Sequence, residues 1–229
     1  VVHCAALSNT WYCEQHPEDS HRVNVQGTVK LAKACKRIGA KLIFMSSDQV
    51  YNGTPLLGPL KEHVELQPVN VYGQHKLEAE QRAQRNLPSS VGLRLTWMYD
   101  VPDSPMKLNS NILVNLRKAC SEGAIINAAT HEYRGVTNVW EVVKNMEQVI
   151  ALPGGIYNYG SGNTIDSYAL HLRAAHLMKL EEPSTWILPN EERFSEQPRN
   201  LTMDCSLIEE FGLHFNDSVE GIKRALAWR

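Results

Sequence analysis

No apolar stretch in the 229-residue sequence is long enough to span a bilayer, and no basic segment followed by a signal core opens it, so no membrane role is expected. Charge of one sign is lacking too. With 23 Lys and Arg against 25 Asp and Glu, the formal charge is −2 and no basic stripe forms, which argues against a nucleic-acid partner but leaves a nucleotide ligand open. The five cysteines, Cys4, Cys13, Cys35, Cys120 and Cys205, include no C-x-x-C pair. Scattered thiols in odd number fit a reducing, cytoplasmic compartment. His171 and His176, five apart on an expected helix, do not share a face well, and no Cys or carboxylate stands at ligand spacing, so no metal site is expected. Internal repeats and low-complexity tracts are absent, and the composition is that of an ordinary globular protein.

What is present is alternation. Residues 1–6 read as a buried strand, with no methionine before it, so a natural domain is expected to continue ahead of Val1. Pro17 stands near the start of a helical pattern in which Val23, Leu31, Ala34 and Ile38 form an apolar stripe, stopped by Gly39. A second strand is expected over 41–45, a Gly- and Pro-rich loop over 52–68, a helix over 71–86 and a third strand over 91–95. Strands apolar throughout, alternating with helices, predict an α/β fold with a parallel sheet covered on both faces. Ligands then bind beyond the carboxyl ends of the strands. From residue 97 the pattern loosens into a second region. Helices are expected over 108–121, 139–152, 165–179, 206–211 and 218–228, strands over 124–128 and 155–159, and a polar stretch over 181–200. The expected division is a core over 1–96 and a smaller, mainly substrate-binding module over 97–229, some of whose segments return to the core.

One helix carries chemistry. Tyr72 and Lys76, at i,i+4 on the helix over 71–86, put a phenol and an ammonium on one face. Both groups titrate near 10 when free, so a phenol that exchanges protons near neutral pH needs a fixed cation beside it. Ser47, at the end of the second strand, would hydrogen-bond the same carbonyl oxygen and hold it near Tyr72. The pairing points to carbonyl chemistry.

Four segments, Val1-Val2-His3-Cys4-Ala5-Ala6, Asn24-Val25-Gln26-Gly27-Thr28, Ser46-Ser47-Asp48-Gln49-Val50-Tyr51-Asn52-Gly53 and Pro68-Val69-Asn70-Val71-Tyr72-Gly73-Gln74-His75-Lys76, resemble the extended short-chain dehydrogenase/reductase family, in its dTDP-4-dehydrorhamnose reductase branch. Residues 93–99 and 197–204 extend the resemblance along the chain. It implies a Rossmann-type doubly wound sheet, NADPH or NADH as cofactor, and reduction of the C4 ketone of a nucleoside-diphosphate deoxysugar. On it, Tyr72 gives the proton, Lys76 lowers the phenol's pKa and bonds the nicotinamide ribose, Ser47 orients the ketone and Asp48 assists by hydrogen bonding. Ala5 and Ala6 would line the cofactor's path, and Trp97 and Arg199 would face the substrate, the Arg fork suiting a diphosphate. The family's opening strand, Gly-rich turn and helix, which hold the pyrophosphate, are not found in these residues, so the sheet is expected to be incomplete on its N-terminal side. His75, Gln49, Asp100 and Val136 also depart from the family's pattern.

Plainer readings compete. Asn24 is expected to tie a helix to a neighbouring loop, Trp97 can be a core aromatic, and Arg199 can pair with Glu196 or Asp204. The Gly-rich run 158–163 is best explained as a strand-to-helix turn. Arg199-Asn200 and Asp204-Cys205 also resemble the regulatory beta subunit of methionine adenosyltransferase, which implies a non-catalytic protein binding a partner enzyme. A nucleotide-sugar epimerase is a third possibility, disfavoured by Asp48, and a homodimer is an open expectation.

Overall fold

The computed structural model describes residues 1–102 and 109–228. Strand β1 (Val2–His3) leads through α1 (Thr10–Gln15), α2 (Pro17–Ser20) and a π-helical stretch (His21–Gly27) into α3 (Thr28–Ile38). Gly39 ends α3 at φ 65°, the left-handed cap that glycine adopts without a Cβ clash. Next come β2 (Ile43–Ser47), a 3-10 turn (Asp48–Tyr51), α4 (Val71–Asn86) and β3 (Val91–Leu95). The bounds of α4 and β3 are those expected.

The second half holds β4 (Trp97–Tyr99), α5 (Ile112–Glu122), β5 (Ile126–Ala129), β6 (Glu132–Arg134), β7 (Val136–Asn138), α6 (Val139–Lys144), α7 (Met146–Val149) and β8 (Gly155–Tyr159). It continues through α8 (Ser167–Leu177), α9 (Pro183–Trp186), β9 (Ile187–Asn190), β10 (Arg199–Leu201), α10 (Ser206–Glu209) and α11 (Ser218–Ala227). The helix start expected at Leu108 lies outside the described residues.

Strands β1, β2, β3 and β8 form one parallel sheet in that order, with Ser47 opposite Leu95 and Leu95 opposite Tyr159. Both faces are covered, as parallel strands require. On one face Phe44 packs with Ala32 and Cys35 of α3 and Ala83 of α4. On the other Ile43, Leu93 and Tyr157 pack with Val149 and Ile208. The second half adds three two-stranded parallel pairs, β4–β7, β5–β9 and β6–β10, around a core that includes Leu113, Leu116, Leu170 and Ile222. Among the described residues no helix is long and apolar enough to cross a membrane.

Five expectations need correction. Residues 1–6, expected as a buried strand, are strand only over Val2–His3, and Val1 and Val2 are exposed because β1 lies at the edge of the sheet. The buried stripe leading into and along α3 is Val25, Val29, Ala32 and Cys35; Ile38 is 75 % exposed. Counting hydrophobicity favours the larger side chains, whereas close approach to Ala83 of α4 favours the smaller ones. Strand β2 sits two residues later than 41–45, because Ser46 and Ser47, though polar, pair with β3 and are buried. The helix over 139–152 breaks at Asn145, and the polar stretch 181–200 contains β9 and the start of β10, whose partners β5 and β6 lie far away in sequence.

Helix α4 is tied to the sheet by a buried ion pair. Arg94 on β3 donates from Nε to Glu80 Oε1 at 3.0 Å and from Nη2 to Oε2 at 2.8 Å, while Ser46 Oγ on β2 donates to Oε1 at 2.5 Å. Bidentate geometry and additional hydrogen bonds are what allow such a pair to survive burial.

Candidate active site

Strand β2 delivers Ser47 to the carboxyl end of the sheet, where its Oγ caps the 3-10 turn by accepting from Gln49 N at 3.2 Å. The same hydroxyl donates to Asp48 Oδ1 at 3.1 Å. Asn70 caps α4, its Oδ1 accepting from Gly73 N at 2.7 Å, which starts the helix where Tyr72 faces Ser47. A Cβ on Gly73 would stand 2.3 Å from Gln49 O, so the first turn of α4 presses directly on the turn that carries Asp48. Tyr72 and Lys76 are both buried, with Lys76 Nζ 5.6 Å from the Tyr72 ring centroid and donating to Met45 O at 2.8 Å.

Electrostatics here are ruled by burial. Burial lifts the Tyr72 phenol well above its ordinary value, the Ser47 hydroxyl beside it pulls the other way, and Asp48 and Cys13 add to the rise. The lowering expected from Lys76 is not among the influences on the phenol in this geometry. Lys76 itself is depressed to about 8, chiefly by burial, with Glu80 and then Cys13 opposing. An ammonium 5 % exposed that spends one donor on a carbonyl has donors left for a diol.

Asp48, 1 % exposed, is held from two further sides. Gln49 Nε2 donates to Oδ1 at 3.3 Å and Arg134 Nη2 to Oδ2 at 2.9 Å. Arg134 also lies over the Trp97 ring, 5.3 Å from its centroid. Arg199 reaches the same turn through Nη2, which donates to Gln49 Oε1 at 3.4 Å. Its Nε lies 3.4 Å from Glu132 Oε1 without hydrogen-bond alignment. Neither Glu196 nor Asp204, the acids the sequence offered for Arg199, is its ion-pair partner. A cleft of about 420 Å³ lined by Tyr51, Asn52, Thr54, Phe194 and Arg199 opens alongside.

Ala5 and Ala6 follow β1, Ala5 exposed and Ala6 half-buried. The loop just after them is fixed by Asn24, whose Oδ1 accepts from Leu7 N at 2.9 Å and whose Nδ2 donates to Leu7 O at 3.0 Å. That helix-to-loop tie is the role expected of Asn24. Ser47, Asp48, Tyr72 and Lys76 thus gather at one place, Trp97 joins them through Arg134 and Arg199 through Gln49. Sequence reasoning missed Arg134 and Glu132. Both sit on a three-residue strand with no periodicity to announce it, and only the pairing of Arg199 with Glu132 and Leu201 with Arg134 across β10 and β6 brings them to the site.

A family model described as RmlD substrate binding domain matches residues 1–227. The chain belongs to this family. Among relatives of the RmlD-family chain, methionine adenosyltransferase 2 subunit beta from Bos taurus is 28 % identical over 222 residues, 93 % of this chain and 65 % of that protein. The dTDP-4-dehydrorhamnose reductase of Mycolicibacterium smegmatis is 30 % identical over 156 residues, 68 % of this chain and 46 % of that protein. The RmlD-family chain therefore spans just under two thirds, or less, of the length of these curated relatives. A solved dTDP-4-dehydrorhamnose reductase from Bacillus anthracis, in complex with NADP, covers all of this chain and 80 % of its own, with a TM-score of 0.84 at 19 % identity. A UDP-N-acetylglucosamine 4-epimerase from Methanobrevibacter ruminantium covers all of it at a TM-score of 0.79 and 22 % identity. These likenesses establish the Rossmann-like α/β fold.

Proposed function

We propose that the RmlD-family chain forms the reacting centre of an NAD(P)H-dependent reductase acting on the 4-keto group of a nucleoside-diphosphate deoxysugar. The observation that carries this reading is the burial of Ser47, Tyr72 and Lys76 together at the carboxyl end of β2, beside a cleft with Arg199 in its wall. The residues fit the nicotinamide end of a dinucleotide: Lys76 has donors for the ribose diol, and the loop after β1 is held in place by Asn24. When bound, the dihydronicotinamide supplies the hydride to C4. Tyr72 gives its phenolic proton to the ketone oxygen, so a carbonyl becomes an alcohol, and the phenolate left behind is stabilised by Lys76 and Ser47. Asp48 holds the Ser47 proton before reaction, and that proton turns to the phenolate as Tyr72 gives up its own. Trp97 and Arg199 would contact the substrate, Arg199 at the diphosphate.

The test uses the whole encoded protein with NADPH or NADH and a dTDP-4-keto-6-deoxysugar. Cofactor oxidation is expected, and Tyr72→Phe should lower kcat by about 100-fold or more. Full turnover by that variant refutes the assigned acid.

A second reading is favoured by a specific observation, the match to methionine adenosyltransferase beta subunits over 93 % of the chain. Under it the fold serves as a docking subunit for a partner enzyme. Co-purification with a methionine adenosyltransferase, undiminished by Tyr72→Phe and unaccompanied by ketone reduction, would select this reading.

A further inference from the structure

Arg134 belongs to β6, in the second half of the chain, yet its guanidinium ends at the carboxylate that accepts from Ser47. Nη2 lies 2.9 Å from Asp48 Oδ2, and Cζ lies 5.3 Å from the Trp97 ring centroid. The side chain is 19 % exposed against 2 % for Asp48, so the pair is largely shielded from water. Its backbone is fixed as well. Asn163 Nδ2 donates to Arg134 O at 2.8 Å, and at the neighbouring Gly135 a Cβ would stand 2.1 Å from Ser161 O. A guanidinium so anchored gives Asp48 little freedom.

Following the protons outward shows what this achieves. Ser47 Oγ lies 3.1 Å from Asp48 Oδ1 and also beside the Tyr72 phenol, whose ionised form it favours, so carboxylate and phenol compete for the hydroxyl's one proton. Were Asp48 unpaired, its charge would bear more fully on the phenol in a poorly solvated site. Other charged or titratable groups facing this chain are Cys13 on α1, Lys76 on α4, Glu132 on β6, His171 on α8 and Arg199 on β10. Of the cations Lys76, Arg134 and Arg199, Arg134 is the one in direct contact with Asp48, through a hydrogen bond at 2.9 Å.

We propose that Arg134 is a positioning residue for the reaction: by holding Asp48 it sets the direction of the Ser47 hydroxyl and offsets the carboxylate's field at Tyr72, and by stacking it fixes the Trp97 ring. The inference rests on the reductase reading.

Its test is a pH–rate profile of the whole encoded protein with a dTDP-4-keto-6-deoxysugar, for wild type, Arg134→Met and Arg134→Lys. Loss of the cation leaves Asp48 to disfavour phenolate at Tyr72 and to favour ammonium at Lys76, so both pKa values rise. The alkaline limb, set by that coupled pair, moves up by about one pH unit in Arg134→Met. With Ser47 and Trp97 released, kcat falls by about 10- to 100-fold. Arg134→Lys restores the limb to its wild-type position while kcat stays below wild type, since an ammonium supplies charge without the planar fork. Should Arg134→Met fail to fold, Arg134→Lys decides: wild-type kcat in that variant overturns the inference. So does an unmoved limb in a folded Arg134→Met. Wild-type protein that turns over no such sugar overturns the reductase reading instead, and this inference falls with it.

Discussion

A charge buried as deeply as that of Lys76 is costly to keep. Its pKa of about 8 lies below the free value of 10.5 because burial outweighs Glu80 and Cys13. Between these two values the unfolded chain binds the proton and the folded one does not, so stability from this group rises with pH across the interval. Below about 8 the cost is fully present, on the order of 3 kcal/mol from the difference between the two values. Lys76→Met removes the buried cation while keeping an unbranched stem. Chemical denaturation at pH 7 is expected to find the variant more stable than wild type, with most of the gain gone by pH 10 and the rest lost above 10.5. A variant less stable at pH 7 than at pH 10, relative to wild type, would show that Lys76 is held by a favourable interaction instead. Under the proposed function, that gain would be the stability side of a trade-off with turnover.

At the scale of elements, the site depends on how closely α4 approaches the turn after β2. Gly73 is the point of contact, and the atom a Cβ would meet is the carbonyl oxygen of Gln49, which cannot rotate away as a side chain would. Gly73→Ala is therefore expected to push the start of α4 off the Asp48–Tyr51 turn, costing about 1–3 kcal/mol in stability despite alanine's better helix propensity. It should also separate Tyr72 from Ser47, lowering kcat more than it raises KM. Melting curves and steady-state kinetics read the two effects separately. The same element shows what the sequence reveals. The bounds of α4 were readable from its composition, and β3 and β8 were read over the residues that form them. The polar end of β2 and the strands within 181–200 were not. Ser46 and Ser47 are strand residues because they pair with Arg94 and Leu95, and β10 exists because β6 lies beside it. Arg134 escaped for that reason: its place in the site is a property of strand pairing between distant segments, whereas Tyr72 and Lys76 are neighbours on one helix.

Across the whole molecule, the two halves are joined through the sheet. Strand β8, from the second half, lies against β3, and Asn158 in its middle is fully buried. Its Nδ2 donates to Leu60 O at 2.8 Å and to Asp204 O at 2.9 Å, and its Oδ1 accepts from Tyr51 Oη at 2.7 Å. Tyr51 in turn accepts from Arg94 Nη1 at 2.7 Å, so one amide connects the loop after β2, the segment after β10 and the ion pair under α4. Leu60 and Met203 also form a parallel bridge, and both pack with Val50, Tyr51 and Leu201. A seam of this kind makes independent unfolding of either half unfavourable, because opening it strands several buried polar groups at once. Wild type is expected to unfold in a single transition, with near- and far-ultraviolet circular dichroism coincident. Asn158→Ala removes one partner from each of two carbonyls and a phenol, of which Leu60 O keeps Asp204 N and Tyr51 Oη keeps Arg94 Nη1 and Lys61 O, at a cost of about 1–3 kcal/mol. The loss should appear as one transition at lower denaturant for both probes. Two separated transitions, in wild type or variant, would show that the halves are held together by something other than this seam, and that Arg134 and Asp48 meet across a boundary that can open.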